Sequence, residues 1–345
     1  MAGNLKRFFC MLLTLVLLAG CQRQQNRDEG RGGFLKTGES QETDERLKVV
    51  TTIFPYYDFV RQIAGDKVKL TLVVPAGMDS HSFEPTPADM ITIQEADVLI
   101  CNGGEMEHWL EQVLSSLDTS SMKVLTMMDY VDVVEEEHVE GMEEEDHDHE
   151  HEEDSEQAVF DADDGHENRI EYDEHIWTSP VNAMAITELI AAALKESAPE
   201  NATYFEENEE RYRAELKKLD SDFRQVVSEG RTRMIVIADK FPFRYLADEY
   251  GLSYRAAFSG CSGDTEPSAK TIAYLIDRIR ENQIPAVYYL ELSSHRTADI
   301  INEETGAKPL LLHSCHNVTR RQFDEGITYL QLMEQNVEHL RQGLQ

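Results

Sequence analysis

Apolar residues along the chain fall into two alternating patterns: short β-branched runs typical of buried strands, and longer stretches with helical spacing. The segment LKVVTTIFPYYDFVRQIAGD predicts a strand from Val49 to Ile53 and then a helix that Pro55 can begin and Gly65 can end. The strands VKLTLVVP, DVLICNGG and KVLTMM follow, alternating with the helices TPADMITIQEA, which Thr86 can cap, and EHWLEQVLSSL. This alternation predicts a parallel sheet with helices on both faces.

The second half of the chain repeats this order of elements. The strands MIVIA, SYRAAF, AVYYLE and KPLLLH alternate with helical segments, and a final helix is predicted from Arg321 to about Leu340. Between the halves, Asn201 to Gly230 keeps apolar residues at helical spacing over nearly 30 residues. We therefore expect an α/β protein of two lobes, each with a mostly parallel sheet flanked by helices, joined by a long rigid helix. A chain of 345 residues suits two cores, because single cores rarely exceed about 250 to 300 residues.

The periodicity disappears between Asp132 and Tyr172, which indicates an insertion in the first lobe. From Glu135 to Glu174 there are 21 carboxylates and a single basic residue, Arg169, so much of the net charge of −34 lies here. This accumulation argues against a nucleic-acid partner. The segment also carries five histidines that suit weak, exchangeable metal coordination rather than a rigid site: His138, His147, His149, His151 and His166. The alternative is a solvated acidic loop with no effect on tight binding.

The N-terminus has the features of an export signal. Lys6 and Arg7 precede the apolar run FFCMLLTLVLLAG, which is too short to span a bilayer stably. The run ends in LAGC, which resembles the lipobox of bacterial lipoproteins and makes Cys21 the expected site of lipidation. The alternative is a cleaved signal peptide with a chance cysteine. We expect the mature protein to be anchored by this lipid to the outer face of the bacterial cell membrane.

These observations predict five parts of the chain. They are a lipoprotein signal peptide (1–20), a flexible tether (21–46), an N-terminal α/β lobe (47–198) with the acidic insertion (132–172), a linking helix (199–230) and a C-terminal α/β lobe (231–345).

Two further cysteines, Cys261 and Cys315, both follow strands of the second lobe. In an oxidising extracytoplasmic setting they could form a disulfide. Two free thiols, or soft metal ligands, are the alternatives.

Four polar residues lie just past predicted strands or at the end of the insertion, where ligands of open parallel sheets bind. They are His81, His175, Asp239 and His313. Three imidazoles and a carboxylate can surround a divalent ion tetrahedrally, and imidazole nitrogen favours zinc over manganese. Each residue could instead be a solvated loop residue or a structural histidine. The histidines in less telling positions are His108, His295, His316 and His339.

Several motifs carry a family resemblance from about Val49 to the C-terminus. They are TTIFPYYDFVRQIAGD, GMDSHSFEPTPAD, NGGEMEHWL and HIWTSPVNA. Together they resemble the metal-binding substrate-binding proteins of ABC importers, and more specifically the zinc-uptake lipoproteins of the adhesin-like group. The resemblance implies that His81 and His175 are metal ligands and that the site lies in the cleft between the lobes. Zinc-uptake relatives also carry histidine-rich loops just before the second ligand.

The second lobe departs from the family pattern. The usual third ligand falls on Lys240, and a protonated lysine is a poor ligand, so the neighbouring Asp239 is the expected replacement. His313 stands where the family often has an aspartate. Glu266 or Cys315 could displace either of these two residues.

The resemblance implies an extracytoplasmic receptor that binds Zn²⁺ and delivers it to an ABC transporter permease, and that is not an enzyme. A manganese or iron receptor of the same fold is one alternative, and an adhesin or structural interaction protein is another. A secreted zinc hydrolase would need an open coordination position and a base such as Glu84 or Glu174. No His-Glu-x-x-His pair occurs in the sequence.

Overall fold

The computed structural model describes residues 45–143, 171–260 and 266–345, and all statements below concern these residues. The first lobe contains β1 (Leu47–Thr51), α1 (Phe54–Ala64), β2 (Val68–Leu72), α2 (Pro87–Gln94), β3 (Val98–Cys101), α3 (His108–Ser116), β4 (Lys123–Thr126) and α4 (Pro180–Ser197). The long helix α5 spans Ala202–Glu229. The second lobe contains β5 (Met234–Ile237), α6 (Arg244–Tyr250), β6 (Ser253–Ala256), α7 (Ala269–Asn282), β7 (Ala286–Tyr289), α8 (Arg296–Thr305), β8 (Lys308–Leu311), α9 (Arg320–Asp324) and α10 (Tyr329–Leu344).

Each lobe is built on a four-stranded parallel sheet. The strand orders are β2-β1-β3-β4 and β6-β5-β7-β8, so the two lobes repeat one topology. In both, the strand order reverses beside the lobe's first strand, which is where ligands of open sheets bind. The fold class predicted from the sequence is confirmed.

Helix α5 connects the lobes and packs against helices of both. Its 28 residues extend over about 42 Å at the usual rise per residue. One apolar stripe, from Phe205 through Tyr212 and Leu216 to Phe223, is buried against α1, α4 and α10. None of the helices in the described part of the chain is long and apolar enough to cross a membrane.

Helix starts follow local chemistry closely. Thr86 accepts a hydrogen bond from the Asp89 amide, and Asp89 reciprocates, so the expected cap of α2 is a capping box. At the C-terminus the structure differs from the sequence prediction. Instead of one helix from Arg321, there are two, because Gly326 has φ +76° and Thr328 caps a new helix.

Part of the predicted insertion lies within the described residues. Residues 131–143, named here the interlobe strap, leave the first lobe and cross to the second. At the base, the Asp173 amide donates to the Val134 carbonyl (2.9 Å). At the far end, the Glu143 amide donates to the Ala257 carbonyl (2.9 Å), and the Tyr254 hydroxyl donates to Glu137 (3.0 Å) on the way.

The chain also returns from the second lobe to the first near its end. The buried carboxylate of Asp58 on α1 accepts hydrogen bonds from the Tyr329 amide (2.6 Å) and from Arg61 (2.6 Å). Arg61 in turn donates to the Ile327 carbonyl (2.5 Å). The segment between β8 and α10 is therefore fixed to both lobes.

Candidate metal centre

A cavity of about 380 Å³ lies between the lobes, at the carboxyl ends of both sheets. The first lobe contributes the loop after β2 and the turn before α4, which carry His81 and His175. The second lobe contributes the segments that follow β5, β7 and β8. The strand-end argument thus predicts the position of the cavity correctly.

His81 is partly buried in this cavity. Its backbone amide donates to the Asp79 carboxylate (2.9 Å), which fixes the loop locally. Burial, and then the nearby His175, lower the pKa of His81 to about 4. This imidazole is therefore neutral, and able to bind a metal, well below neutral pH.

His175 is held by its neighbours on both sides. The Asp173 carboxylate accepts the His175 amide (2.8 Å) and lies 3.3 Å from Nδ1, which leaves Nε2 for the cavity. Asn182 donates to the Ile176 carbonyl (3.1 Å) and fixes the turn that follows. Burial lowers the pKa of His175, but the charge and hydrogen bond of Asp173, together with the charges of Glu174 and Glu136, outweigh it, so the pKa lies above its usual value.

Glu174, between these two residues, anchors the turn to the first sheet. Its carboxylate accepts hydrogen bonds from the amides of Glu105 and Met106 (2.7 Å for the latter). Gly104 is needed there, because a Cβ at its positive φ would collide with this carboxylate. Burial raises the pKa of Glu174 to about 7. Since the group binds backbone amides, it does not serve as a base facing the cavity.

His316 is the third imidazole of the cavity. Its ring centre lies 6.0 Å from that of His81 and 6.0 Å from that of His175, and both pairs are nearly perpendicular. Trp177 contacts the rings of both His175 and His316, with centroids 5.4 and 5.5 Å away. Burial, and then the two other histidines, hold the pKa of His316 well below its usual range.

His313, the residue predicted from the sequence, does not line the cavity. Its side chain is buried, and Nδ1 accepts the Cys315 amide (3.0 Å) while its backbone bonds to Asn336 (2.8 and 2.7 Å). Cys315 has φ +61°, which reverses the chain so that His313 faces inward and His316 faces the cavity. The geometry supports His316, rather than His313, at this position.

The opposite wall carries charged groups. Asp239 lines the cavity as predicted, is 9% exposed, and accepts the Lys240 amide (2.8 Å). Burial raises its pKa. Lys240, Glu266 and Glu291 line the same cavity, and Glu291 binds the Ser314 amide (2.8 Å).

Three imidazoles beside carboxylates form a donor set suited to zinc. Within residues 45–143, 171–260 and 266–345, however, no three His, Cys, Asp or Glu side chains yet converge closely enough to hold one ion.

The remaining predicted residues are two cysteines of the second lobe, the histidines of the acidic insertion and the lipidation site. Cys315 is a free and completely buried thiol, and its partner in the predicted disulfide, Cys261, lies outside the described residues. His138 is exposed on the interlobe strap. The remaining predicted positions outside the described residues are Cys21, His147, His149, His151 and His166.

Sequence reasoning did not select His316, because nothing in its immediate sequence distinguished it from a histidine on a helix or turn surface. The available signal was the pair of histidines in HSCHN, three residues apart directly after a strand. Outside a helix, that spacing lets the two side chains point to opposite sides of one turn.

Comparisons with known proteins agree on one family. The sequence model of the family described as zinc-uptake complex component A, periplasmic (ZnuA), matches residues 49–343. The high-affinity zinc uptake system protein ZnuA of Bacillus subtilis (strain 168) is 31% identical over 336 residues, which cover 97% of this chain and 96% of that protein. The zinc-binding lipoprotein AdcA of Streptococcus pneumoniae (strain ATCC BAA-255 / R6) is 32% identical over 303 residues, or 88% of this chain and 56% of that protein. This chain thus spans about half the length of AdcA.

Solved structures give the same result. The metal-dependent lipoprotein YcdH from Bacillus subtilis superposes with a TM-score of 0.69 at 29% identity, covering 87% of this chain and 99% of that one. The Zn(II)-bound ZnuA-like domain of Streptococcus pneumoniae AdcA gives 0.68 at 29% identity with the same coverage. On the combined evidence of its two-lobed fold, its histidine-lined cavity and these matches, the chain belongs to the ZnuA family of zinc-uptake components.

Proposed function

We propose that this protein is an extracytoplasmic receptor that binds Zn²⁺ tightly in the interlobe cavity and delivers it to an ABC transporter permease. The observation that carries the proposal is the meeting of three imidazoles, His81, His175 and His316, from three separate chain segments at one cavity. Zinc is the cargo. The zinc uptake and zinc binding named for the relatives support the same function.

The proposed ligands are these three histidines and Asp239. Four protein ligands close the coordination shell of zinc and leave no position for a reacting water, which suits a carrier rather than a catalyst. Glu174, the base considered for a hydrolase, is bound to backbone amides, and this supports a non-enzymatic role. Three imidazoles favour zinc over manganese, which is one of the alternative metals for a receptor of this fold.

Anchoring and metal collection complete the proposal. Lipid on Cys21 holds the protein at the membrane through the tether of residues 21–46. The histidines of the acidic segment collect zinc weakly. The described part of that segment supports this role, since the interlobe strap ends at Glu143, whose side chain accepts the Ser268 amide, two residues from Glu266 of the cavity wall.

Zinc competition titrations on a matched pair of variants test the ligand assignment. His316→Ala is expected to weaken zinc binding at least 100-fold because it removes a ligand, and His81→Ala should do the same. His313→Ala should leave the zinc affinity within about 10-fold of the wild type, because His313 does not line the cavity and only supports the turn through the Cys315 amide. If His313→Ala abolishes binding while His316→Ala does not, the assignment is refuted. If wild-type protein binds no zinc with submicromolar affinity, the proposed function is refuted.

A further inference from the structure

Asn317, next to His316, joins the second lobe to the loop that carries His81. Its side chain is 5% exposed, and its amide nitrogen donates to two carbonyls of that loop, Pro75 (2.9 Å) and Met78 (2.6 Å). Its amide oxygen accepts the Val318 amide (2.8 Å). All three contacts are made by one buried side chain, which is typical of a residue that fixes backbone geometry.

The His81 loop has little support of its own. Residues 77–79 are exposed, and Gly77, at φ +88°, has no atom within 4 Å of the position a Cβ would take. The Met78 amide bonds only locally, to the Pro75 carbonyl (3.1 Å). Asn317 therefore binds both ends of this short turn from outside.

A second contact joins the same two segments at the ligands themselves. Ser80, one residue before His81, places its hydroxyl 2.5 Å from Nε2 of His316. Ser80 and Asn317, which join the two segments, are thus each one residue away from a proposed ligand, His81 or His316. The loop and the turn behave as one unit, although their residues are more than 230 positions apart in the chain.

We infer that Asn317 is a positioning residue that holds His81 and His316 together as a preformed half of the zinc site. The inference rests on the proposed function. In this arrangement zinc meets two imidazoles already set beside each other, and the other two ligands complete the site. Less ordering on binding gives higher affinity.

Two substitutions distinguish the hydrogen bonds that the Asn317 side chain donates from the one that it accepts. Asn317→Asp keeps the oxygen that accepts the Val318 amide and loses both donors, whereas Asn317→Ala loses everything. The added negative charge of Asn317→Asp would by itself strengthen cation binding, so a weaker affinity must come from the lost donors. The matched control is Asn302→Ala, because Asn302 also donates to a backbone carbonyl (Ala307, 2.9 Å) but lies at the end of α8, away from the cavity.

The readouts are zinc affinity by competition titration and the visible absorption spectrum of the Co²⁺-loaded protein, which reports ligand geometry. Both Asn317 variants are expected to bind zinc about 10-fold more weakly, with an altered Co²⁺ spectrum, while the control matches the wild type. Zinc affinity within 2-fold of the wild type in both variants, with an unchanged spectrum, overturns the inference. Absence of zinc binding by the wild type would instead overturn the proposed function.

Hydrogen exchange on the unmodified protein decides the matter if the variants fail to fold. Amides of residues 78–83 are expected to be protected to the same extent with and without zinc, because the half-site is preformed. A rise in their protection of more than 10-fold on adding zinc would show that the metal, not Asn317, orders the loop, and would overturn the inference.

Discussion

Between pH 7 and pH 5, protons should compete with zinc for only one of the three histidines at the metal centre. Burial lowers the pKa of His81 to about 4 and holds that of His316 well below its usual range. For His175 the charge and hydrogen bond of Asp173, with the charges of Glu174 and Glu136, together outweigh burial, and the pKa is raised. As the pH falls from 7 to 5, His175 is therefore the imidazole that gains a proton and must lose it again to bind zinc.

The loss of zinc affinity between pH 7 and pH 5 differs clearly between one titrating imidazole and three. One imidazole with a pKa of about 6.5 or more costs roughly 25-fold in affinity over these two pH units, and at most about 100-fold. Three independent imidazoles with the ordinary pKa would cost roughly 25-fold each, or on the order of 10⁴-fold together. We expect a loss between about 25-fold and 100-fold.

Competition titration against a chromophoric chelator, corrected for the chelator's own protonation, measures this from pH 7 to pH 5. Asp173→Asn is the informative variant: without the carboxylate charge, burial should lower the pKa of His175 and flatten the pH dependence. Its affinity at pH 7 should also fall about 10-fold, since the ring loses its partner. Because the carboxyl of Asp239 also has a raised pKa, the titration is repeated with Asp239→Asn. A loss above about 1,000-fold that persists in this variant would refute the argument from burial, because it would require His81 and His316 to titrate as well.

Other substitutions test separate parts of the structure. Lys240→Ala should raise zinc affinity about 5-fold, or ~1 kcal/mol, because it removes a positive charge from the cavity wall, and the gain should shrink in 0.5 M salt; a weaker affinity would show that Lys240 assists binding. Deleting residues 146–168 spares the interlobe strap and should leave one tight zinc site, measured by calorimetry, while removing weak binding; loss of the tight site would place it in the acidic segment. Asp58→Ala should lower the free energy of unfolding in urea by about 3 kcal/mol, because it leaves the buried Tyr329 amide without its acceptor and the Arg61 charge without its carboxylate; a change below 1 kcal/mol would mean that these bonds contribute little.

Local chemistry made most of the fold predictable. The Thr86 cap, the strand and helix periodicities and the length of α5 all depend on neighbours within a few residues. His81 and Asp239 could also be placed at the cavity, because both follow strands of parallel sheets, whose carboxyl ends bind ligands, whereas His175 follows no strand and was placed by its position at the end of the insertion.

The features that escaped prediction depend on distant contacts. His316 reaches the cavity because Cys315 adopts a positive φ, which no sequence rule assigns to cysteine. The interlobe strap has no periodicity, since its anchors, such as Glu137 and Glu143, are set by residues of the second lobe. The break before α10 was missed because the apolar spacing continues across Gly326.

The bonds between α1 and the end of the chain bear on how the protein is made. Asp58 is paired with the amide of Tyr329, 271 positions later, and Arg61 with the carbonyl of Ile327, 266 positions later. A ribosome releases the first lobe long before Tyr329 and Ile327 exist, so Asp58 is then held only by its neighbours Arg61 and Gln62, and the bonds that fix α1 to the end of the chain form last. The first lobe should therefore wait, incompletely folded, for the last residues to emerge. A fragment ending at Gly230 would then remain a client of chaperones rather than an independent domain.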